Sequence, residues 1–174
     1  QRGLKVYREV CAGCHSMDLI AYRNLADLGF SEAHIKAIAA EYLIPDGPND
    51  EGEMFEREAI PSDRFANPYP NVQAARAANN GAYPPDLSLI VKARPKGADY
   101  LKALLLGYVE APADKEVPEG QYYNKYMDGN LIAMPSPLSE GIVDYDDGTE
   151  ASMDQMASDV TTFLAWAAEP SLED

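Results

Sequence analysis

Five consecutive residues restrict this chain more than any other feature does. Residues 11 to 15 read Cys-Ala-Gly-Cys-His and contain both cysteines and one of the two histidines of the 174-residue chain. Two thiols beside an imidazole suit three kinds of chemistry: a structural zinc site, a dithiol redox site and the covalent attachment of a c-type haem. A bound metal or haem would organise much of the fold around itself.

The residues around the motif favour haem. A zinc site needs about four ligands, and only His34 remains among the cysteines and histidines, so carboxylates would have to complete the shell. A dithiol redox motif follows a strand and opens a helix, whereas apolar residues recur at helical intervals over residues 3–14. Cys-x-x-Cys-His is the signature of haem c attachment. Cys11 and Cys14 would then form thioether bonds, and His15 would coordinate the iron.

The charge of the chain limits its partners. It has 29 acidic against 14 basic residues, a net charge of −15, which disfavours nucleic acid and anionic lipid and favours a basic protein. Acidic residues concentrate in two stretches, 41–63 and 140–159, which are either solvated loops or a surface that attracts such a partner. No apolar run reaches the roughly 20 residues of a membrane span.

The periodicity of apolar residues predicts one all-α domain over residues 1–174. The predicted helices cover residues 3–14, 31–43, 71–81, 97–108 and 152–169. Ser31 and Ser152 are placed to cap two of them, and Pro170 is expected to end the last helix. Residues 45–73 and 110–150 are predicted as loops, and the second is long enough to suggest a function.

A second iron ligand is expected opposite His15. The six methionines and His34 are the candidates. Met134 is favoured because Pro135 and Pro137 restrict the surrounding chain, which lowers the entropic cost of holding its sulfur at iron. A plain core methionine remains the alternative. His34 lies on a short amphipathic helix and is predicted to be a solvated or capping histidine.

Several longer stretches resemble the cytochrome c1 family, the haem subunits of ubiquinol–cytochrome c oxidoreductase (complex III). In chain order they read VCAGCHSMD, AYRNL, DGPNDEGEMFER, NPYPN, AARAANNGAYPPDLSLIVKAR, IAMPSPL and DDGTEASMDQMASDVTTFLAWAAEP. Together they cover almost the whole chain. The resemblance is therefore much more specific than the haem motif alone.

The resemblance implies a class I cytochrome c-like fold with N- and C-terminal helices around one covalent haem and long inserted loops. It implies that Cys11 and Cys14 hold the haem and that His15 and Met134 ligate iron. It also implies three further cofactor-binding residues: Arg94 at a haem propionate, Asn79 nearby, and Pro85 lining the histidine side.

The resemblance further implies an electron carrier, with no catalytic reaction expected from this chain alone. Its partners would be a Rieske iron–sulfur protein, cytochrome b and a basic cytochrome c acceptor, on the periplasmic face of a bacterial inner membrane or the equivalent mitochondrial face. Family members have a segment before the first helix and a membrane anchor after the last, so this chain resembles a soluble core, with the anchor expected beyond residue 174. A free c-type cytochrome or haem sensor, and a haem enzyme with an open iron site, are the alternatives.

Overall fold

The first and last helices of the chain pack directly against each other. In the computed structural model, which describes residues 1–169, helix α1 (Arg2–Val6) continues as one π-helical segment (Tyr7–Cys11), and helix α5 (Met153–Ala168) crosses it. A Cβ atom at Gly3 would lie 2.0 Å from the carbonyl oxygen of Asp159. Only glycine therefore allows the two backbones to approach this closely.

Shorter elements fill the chain between these two helices. In order they are a 3₁₀ helix (Tyr22–Leu28), α2 (Glu32–Ala40), β1 (Leu43–Asp46), β2 (Phe55–Glu58), α3 (Val72–Ala78), α4 (Gly97–Leu106), β3 (Tyr122–Tyr123), a 3₁₀ turn (Asp128–Asn130) and β4 (Leu131–Ile132). Strands β1 and β2 form one antiparallel pair, and β3 and β4 form another. Helix α4 also packs against α5.

Aromatic side chains form the centre of the core beside this helix crossing. The ring of Tyr7 lies 5.7 Å from that of Phe163 and 6.0 Å from that of Phe65. Phe65 also stacks on Tyr22, with 4.8 Å between the ring centroids. Such aromatic pairs add stabilisation beyond the apolar area that they bury. The loop that contains Phe65 is thereby fastened to the N-terminal helix.

The helix predictions are largely confirmed. The Ser31 and Ser152 side chains accept hydrogen bonds from backbone N–H groups three residues later, as N-cap residues do. The first helix ends at Cys11, three residues before the predicted end, because the amides of Cys14 and His15 both turn back to the Cys11 carbonyl oxygen. Pro170, predicted to end α5, lies outside the described residues.

The all-α prediction is too simple, since residues 1–169 are mainly helical but contain four short strands. Strands β1 and β2 fall mostly in the predicted loop 45–73, and β3 and β4 in the loop 110–150. The first hairpin is mostly exposed and has no apolar face that periodicity could detect. Its Arg57 instead pairs with Asp46 across the strands and with Asp63 beyond them.

None of the helices within residues 1–169 is a candidate membrane span. Within residues 1–169, none combines the length with the hydropathy that a bilayer crossing needs.

Replacing Gly3 by alanine is expected to destabilise the protein. Helix propensity alone would favour alanine by about 1 kcal/mol, but the added methyl group would collide with the Asp159 carbonyl. We expect a net loss of about 1–3 kcal/mol in the free energy of unfolding, as for overpacked cores. Denaturant unfolding of the holoprotein measures it.

Gly13→Ala is the matched control, because a Cβ at Gly13 meets no protein atom within 4 Å. If Gly3→Ala proved as stable as the control, the close helix crossing would be contradicted.

Candidate haem site

The cysteine motif lies at the point where the N-terminal helix ends. Cys11 is the last residue of the π-helical segment, and the amide of Ala12 still donates to the Tyr7 carbonyl at 2.8 Å. The amides of Cys14 and His15 then donate to the Cys11 carbonyl at 3.1 and 3.0 Å. This tight turn places both cysteines and the histidine at the end of the N-terminal helix.

Neither alternative to haem attachment fits this geometry. Within residues 1–169, no three His, Cys, Asp or Glu side chains come together as a metal site would require. A dithiol redox motif needs a helix that begins at the first cysteine, whereas here the helix ends at Cys11. Burial, with a smaller contribution from Cys14, raises the pKa of the Cys11 thiol to about 12. Reactive redox thiols have the opposite shift.

The two thiols differ in their exposure. Cys11 is half-buried, whereas Cys14 is exposed and opens onto a surface cleft that is also lined by Tyr69 and Tyr83. Asn79, predicted near the haem, contacts two residues of the cleft wall, Tyr69 and Ala75, through its amide. Its Nδ2 atom donates to the Tyr69 hydroxyl oxygen at 3.1 Å and to the Ala75 carbonyl at 2.7 Å. Within residues 1–169 the Tyr69 hydroxyl accepts this bond and donates none itself.

The ring of His15 is oriented by Pro85. Its Nδ1 atom lies 2.8 Å from the Pro85 carbonyl oxygen. Because a carbonyl can only accept, Nδ1 must carry the proton, and Nε2 keeps its lone pair. Burial lowers the pKa of the His15 imidazole and outweighs this hydrogen bond, which alone would raise it. The net shift favours the neutral ring. A metal-ligating histidine is normally held in this way.

The guanidinium of Arg94 is available to bind a further partner. Its side chain is exposed, and its Nη1 atom donates only to the carbonyl of Ala93, at 3.1 Å. Within the described residues 1–169 it forms no ion pair, although the protein is rich in carboxylates. The structure does not bring Arg94 into hydrogen-bonding contact with His15 or Asn79.

Met134 lies two residues after β4, in a segment fastened to helix α4. The Tyr108 hydroxyl donates to the Met134 carbonyl oxygen at 3.0 Å. Tyr108 lies two residues after α4 and forms an isolated bridge with Asn124. The Met134 side chain is half-buried. The backbone at this methionine is thus positioned from the C-terminal end of α4, and within residues 1–169 no hydrogen bond joins it to His15.

A fully buried amide attaches the β3–β4 hairpin to α4. The Asn124 Nδ2 atom donates to the Leu104 carbonyl at 2.8 Å, and its Oδ1 accepts from the Tyr126 amide at 2.9 Å. A Cβ atom at Gly107 would lie 2.6 Å from that Oδ1 atom. Glycine at the end of α4 therefore leaves room for the amide that holds the hairpin.

The groups present fit a covalently bound haem. They supply two thiols three residues apart, a neutral imidazole with Nε2 free, a methionine in an anchored loop and an unpaired guanidinium. Three residues that hold the surrounding loops were not predicted from the sequence as site residues: Tyr108, Asn124 and Asp86. Only Asp86 had a local signal, since Asp-x-Ser is typical of a turn in which the carboxylate accepts the amide two residues later.

This fold and site define the class of c-type cytochromes. A sequence model described as the cytochrome C1 family matches residues 1–174. The chain is 55% identical over its whole length to "Cytochrome c1-2, heme protein, mitochondrial" of Solanum tuberosum. It is 53% identical to "Cytochrome b-c1 complex catalytic subunit, mitochondrial" of Candida albicans and 53% identical to "Cytochrome b/c1" of Bradyrhizobium diazoefficiens, over 100% and 99% of the chain. The chain belongs to the cytochrome c1 family.

The matched region is only part of each relative. The chain spans 67% of the Solanum tuberosum protein, 61% of the Candida albicans protein and 28% of the Bradyrhizobium diazoefficiens protein.

Replacing Asn124 by alanine is expected to release the hairpin before Met134. The change would leave the Tyr126 amide without its partner and take the side-chain donor from the Leu104 carbonyl, which would keep only the Gly107 amide, at 3.1 Å. Buried unsatisfied groups cost about 1–3 kcal/mol each, so we expect the free energy of unfolding to fall by about 2–3 kcal/mol. Thermal or denaturant unfolding measures this loss.

Gln73→Ala removes an exposed side-chain amide from α3 and is the control. Equal stability of the two variants would contradict the anchoring role of Asn124.

Proposed function

We propose that the chain is the haem-carrying part of an electron-transfer subunit of the cytochrome b–c1 complex. It would accept electrons from a Rieske iron–sulfur protein and pass them to a cytochrome c. Membership of the cytochrome c1 family supports this proposal, as do relatives named for the b–c1 complex and for cytochrome b/c1. The observation that carries it is the hydrogen bond from His15 Nδ1 to Pro85, which leaves Nε2 for iron.

Haem c, when bound, supplies a one-electron centre whose potential depends on its axial ligands. We propose that Cys11 and Cys14 hold it, and that His15 and Met134 are these ligands. A methionine ligand raises the potential, which suits an electron acceptor. The segment containing Met134 is fastened by Tyr108, which lowers the cost of presenting the sulfur.

Polar residues around the proposed haem would hold its propionates. The unpaired, exposed guanidinium of Arg94 is suited to a propionate, since arginine binds carboxylates through paired N–H groups. Asn79 would contribute to propionate binding indirectly, through the Tyr69 hydroxyl, because its own Nδ2 atom already donates to two protein oxygens. Pro85 would instead orient the His15 ring through its carbonyl oxygen.

We further propose that residues 1–174 form one class I cytochrome c-like domain. The packing of α1 against α5 and the position of the motif at the end of the first helix support it. The domain would lie on the periplasmic face of a bacterial inner membrane, or the equivalent mitochondrial face, with cytochrome b beside it. The relatives include a mitochondrial protein and a bacterial one, which is consistent with either location. Electron carriage, rather than a reaction of its own, is the proposed role.

The two acidic stretches differ in how many of their charges are free. In residues 140–159, Asp146, Asp147, Asp154 and Asp159 all pair with basic side chains. On the segment that contains the β1–β2 hairpin, five exposed carboxylates have no ion pair within residues 1–169: Asp50, Glu51, Glu53, Glu56 and Glu58. The hairpin is therefore the better candidate for attracting a basic cytochrome c.

Replacing Met134 by leucine tests the proposed ligand pair. The haem should stay attached through its cysteines, while the reduction potential falls sharply because the thioether that favours ferrous iron is lost. Redox titration and an optical spectrum of the purified holoprotein measure both.

Met54→Leu is the control, since Met54 is exposed on the first hairpin. A wild-type potential and low-spin spectrum in Met134→Leu would exclude Met134 as ligand. A high-spin spectrum of the wild-type protein would favour a haem enzyme with an open iron site.

Charge steering by the first hairpin predicts a salt-dependent reaction with a basic cytochrome c. The triple variant Glu51→Gln, Glu53→Gln, Glu56→Gln should react several-fold more slowly at low ionic strength and show a flatter salt dependence. Its reduction potential should stay near that of the wild type. Stopped-flow kinetics across a salt series measure the rates.

Asp144→Asn, Asp146→Asn, Glu150→Gln removes the same number of charges from the second stretch. A larger effect in this control would move the docking surface there, and a wild-type rate independent of salt would contradict steering altogether.

A further inference from the structure

One carboxylate joins the two chain segments that carry the imidazole and the carbonyl holding it. Asp86 Oδ2 accepts hydrogen bonds from the Ser16 hydroxyl at 2.8 Å and from the Asp18 amide at 2.7 Å. Its Oδ1 accepts from the Ser88 amide at 2.8 Å. Ser16 directly follows His15, and Asp86 directly follows Pro85. The carboxylate therefore connects the segments one residue beyond the contact between His15 and Pro85.

Two further hydrogen bonds extend this connection. The Leu87 amide donates to the Ser16 carbonyl at 2.9 Å, and the Leu19 amide donates to the Ser88 hydroxyl oxygen at 3.0 Å. Ser88 is fully buried. With these bonds the segments 16–19 and 86–88 form one unit, so the 2.8 Å distance from His15 Nδ1 to the Pro85 oxygen depends on their relative position.

The surroundings of Asp86 point to a geometric role. It is half-buried, and within the described residues 1–169 it has no basic partner. A partly desolvated carboxylate in an acidic protein is costly unless it is well hydrogen-bonded. Here three donors satisfy it, and hydrogen bonds to a charged acceptor are shorter and stronger than neutral ones. Its contribution is thus a fixed arrangement of backbone and hydroxyl donors rather than an ion pair.

We propose that Asp86 is a positioning residue that sets the hydrogen bond between His15 Nδ1 and the Pro85 carbonyl, and through it the basicity of the proposed haem ligand. The proposal rests on the proposed function, in which His15 ligates iron. A ligating imidazole that donates a short hydrogen bond from its other nitrogen is a more basic ligand. A more basic ligand favours ferric iron, so loosening this bond raises the reduction potential.

Asp86→Ala and Asp86→Asn in the holoprotein test this role. Alanine removes all three acceptor contacts, whereas asparagine keeps one acceptor oxygen. We expect the His15 Nδ1 proton to exchange with solvent at least tenfold faster in Asp86→Ala, an amount on the scale of one lost hydrogen bond. The reduction potential should shift upward, with Asp86→Asn intermediate. NMR of ¹⁵N-histidine-labelled ferrous protein measures the exchange, and redox titration measures the potential.

Asp18→Asn is the matched control. It removes one carboxylate charge from the neighbouring segment 16–19, but Asp18 contributes only its backbone amide to the Asp86 carboxylate and its side chain is exposed. It should leave the Nδ1 exchange rate at the wild-type value. Ser16→Ala removes a single donor, should give a small change in the same direction as Asp86→Ala, and decides the matter if Asp86→Ala fails to fold.

Two results would overturn the proposal. If the potential shifts in the Asp86 variants without faster Nδ1 exchange, Asp86 acts only as a charge. If stability falls while exchange and potential stay at wild-type values, its role is only structural. Failure of the proposed function would be recognised separately, because the wild-type protein would then lack a histidine-ligated haem spectrum.

Discussion

The crossing of the first and last helices is the contact on which the rest of the structure depends. Gly3 lets the α1 backbone rest on the Asp159 carbonyl, and Arg2 adds an ion pair to the Asp159 carboxylate at 2.9 Å. One turn further on, the ring of Tyr7 packs on that of Phe163. Since Cys11 ends the same helical segment, this crossing also fixes where the motif lies relative to the C-terminal helix.

Two separate polar units hold the loops around the site. On the histidine side, Asp86 joins the segment after His15 to the segment after Pro85. On the methionine side, Asn124 and Tyr108 fasten the hairpin that precedes Met134 to helix α4. Both units bind backbone groups of long loops, which have few regular hydrogen bonds of their own. Each buried donor and acceptor in such a loop needs a partner, and side chains supply them here.

Ion pairing divides the acidic surface into two kinds of region. In the segment before and within α5, most of the carboxylates form ion pairs with Arg2, Lys5 and Lys102. These pairs attach the segment to helices α1 and α4. The first hairpin uses Asp46 for Arg57 and leaves its exposed tip negatively charged. Exposed pairs add little stability individually. Among residues 1–169, these pairs leave more unpaired carboxylates on the segment that contains the first hairpin than in residues 140–159.

The sequence by itself determined the helices, their caps and the chemistry of the motif. These depend on neighbours within four residues, as Ser152 with Gln155 and Cys11 with Cys14 and His15 illustrate. Proline and apolar context also indicated Met134, and the resemblance to the cytochrome c1 family indicated Pro85. Only the tertiary structure decided that Asp86 would join residues 16–18 to Ser88, that Asn124 would meet Leu104, and that the acidic segment 43–58 would form a hairpin. The first two contacts connect residues that are distant in sequence, and a two-stranded pair without an apolar face leaves no periodicity, so local patterns could not specify them.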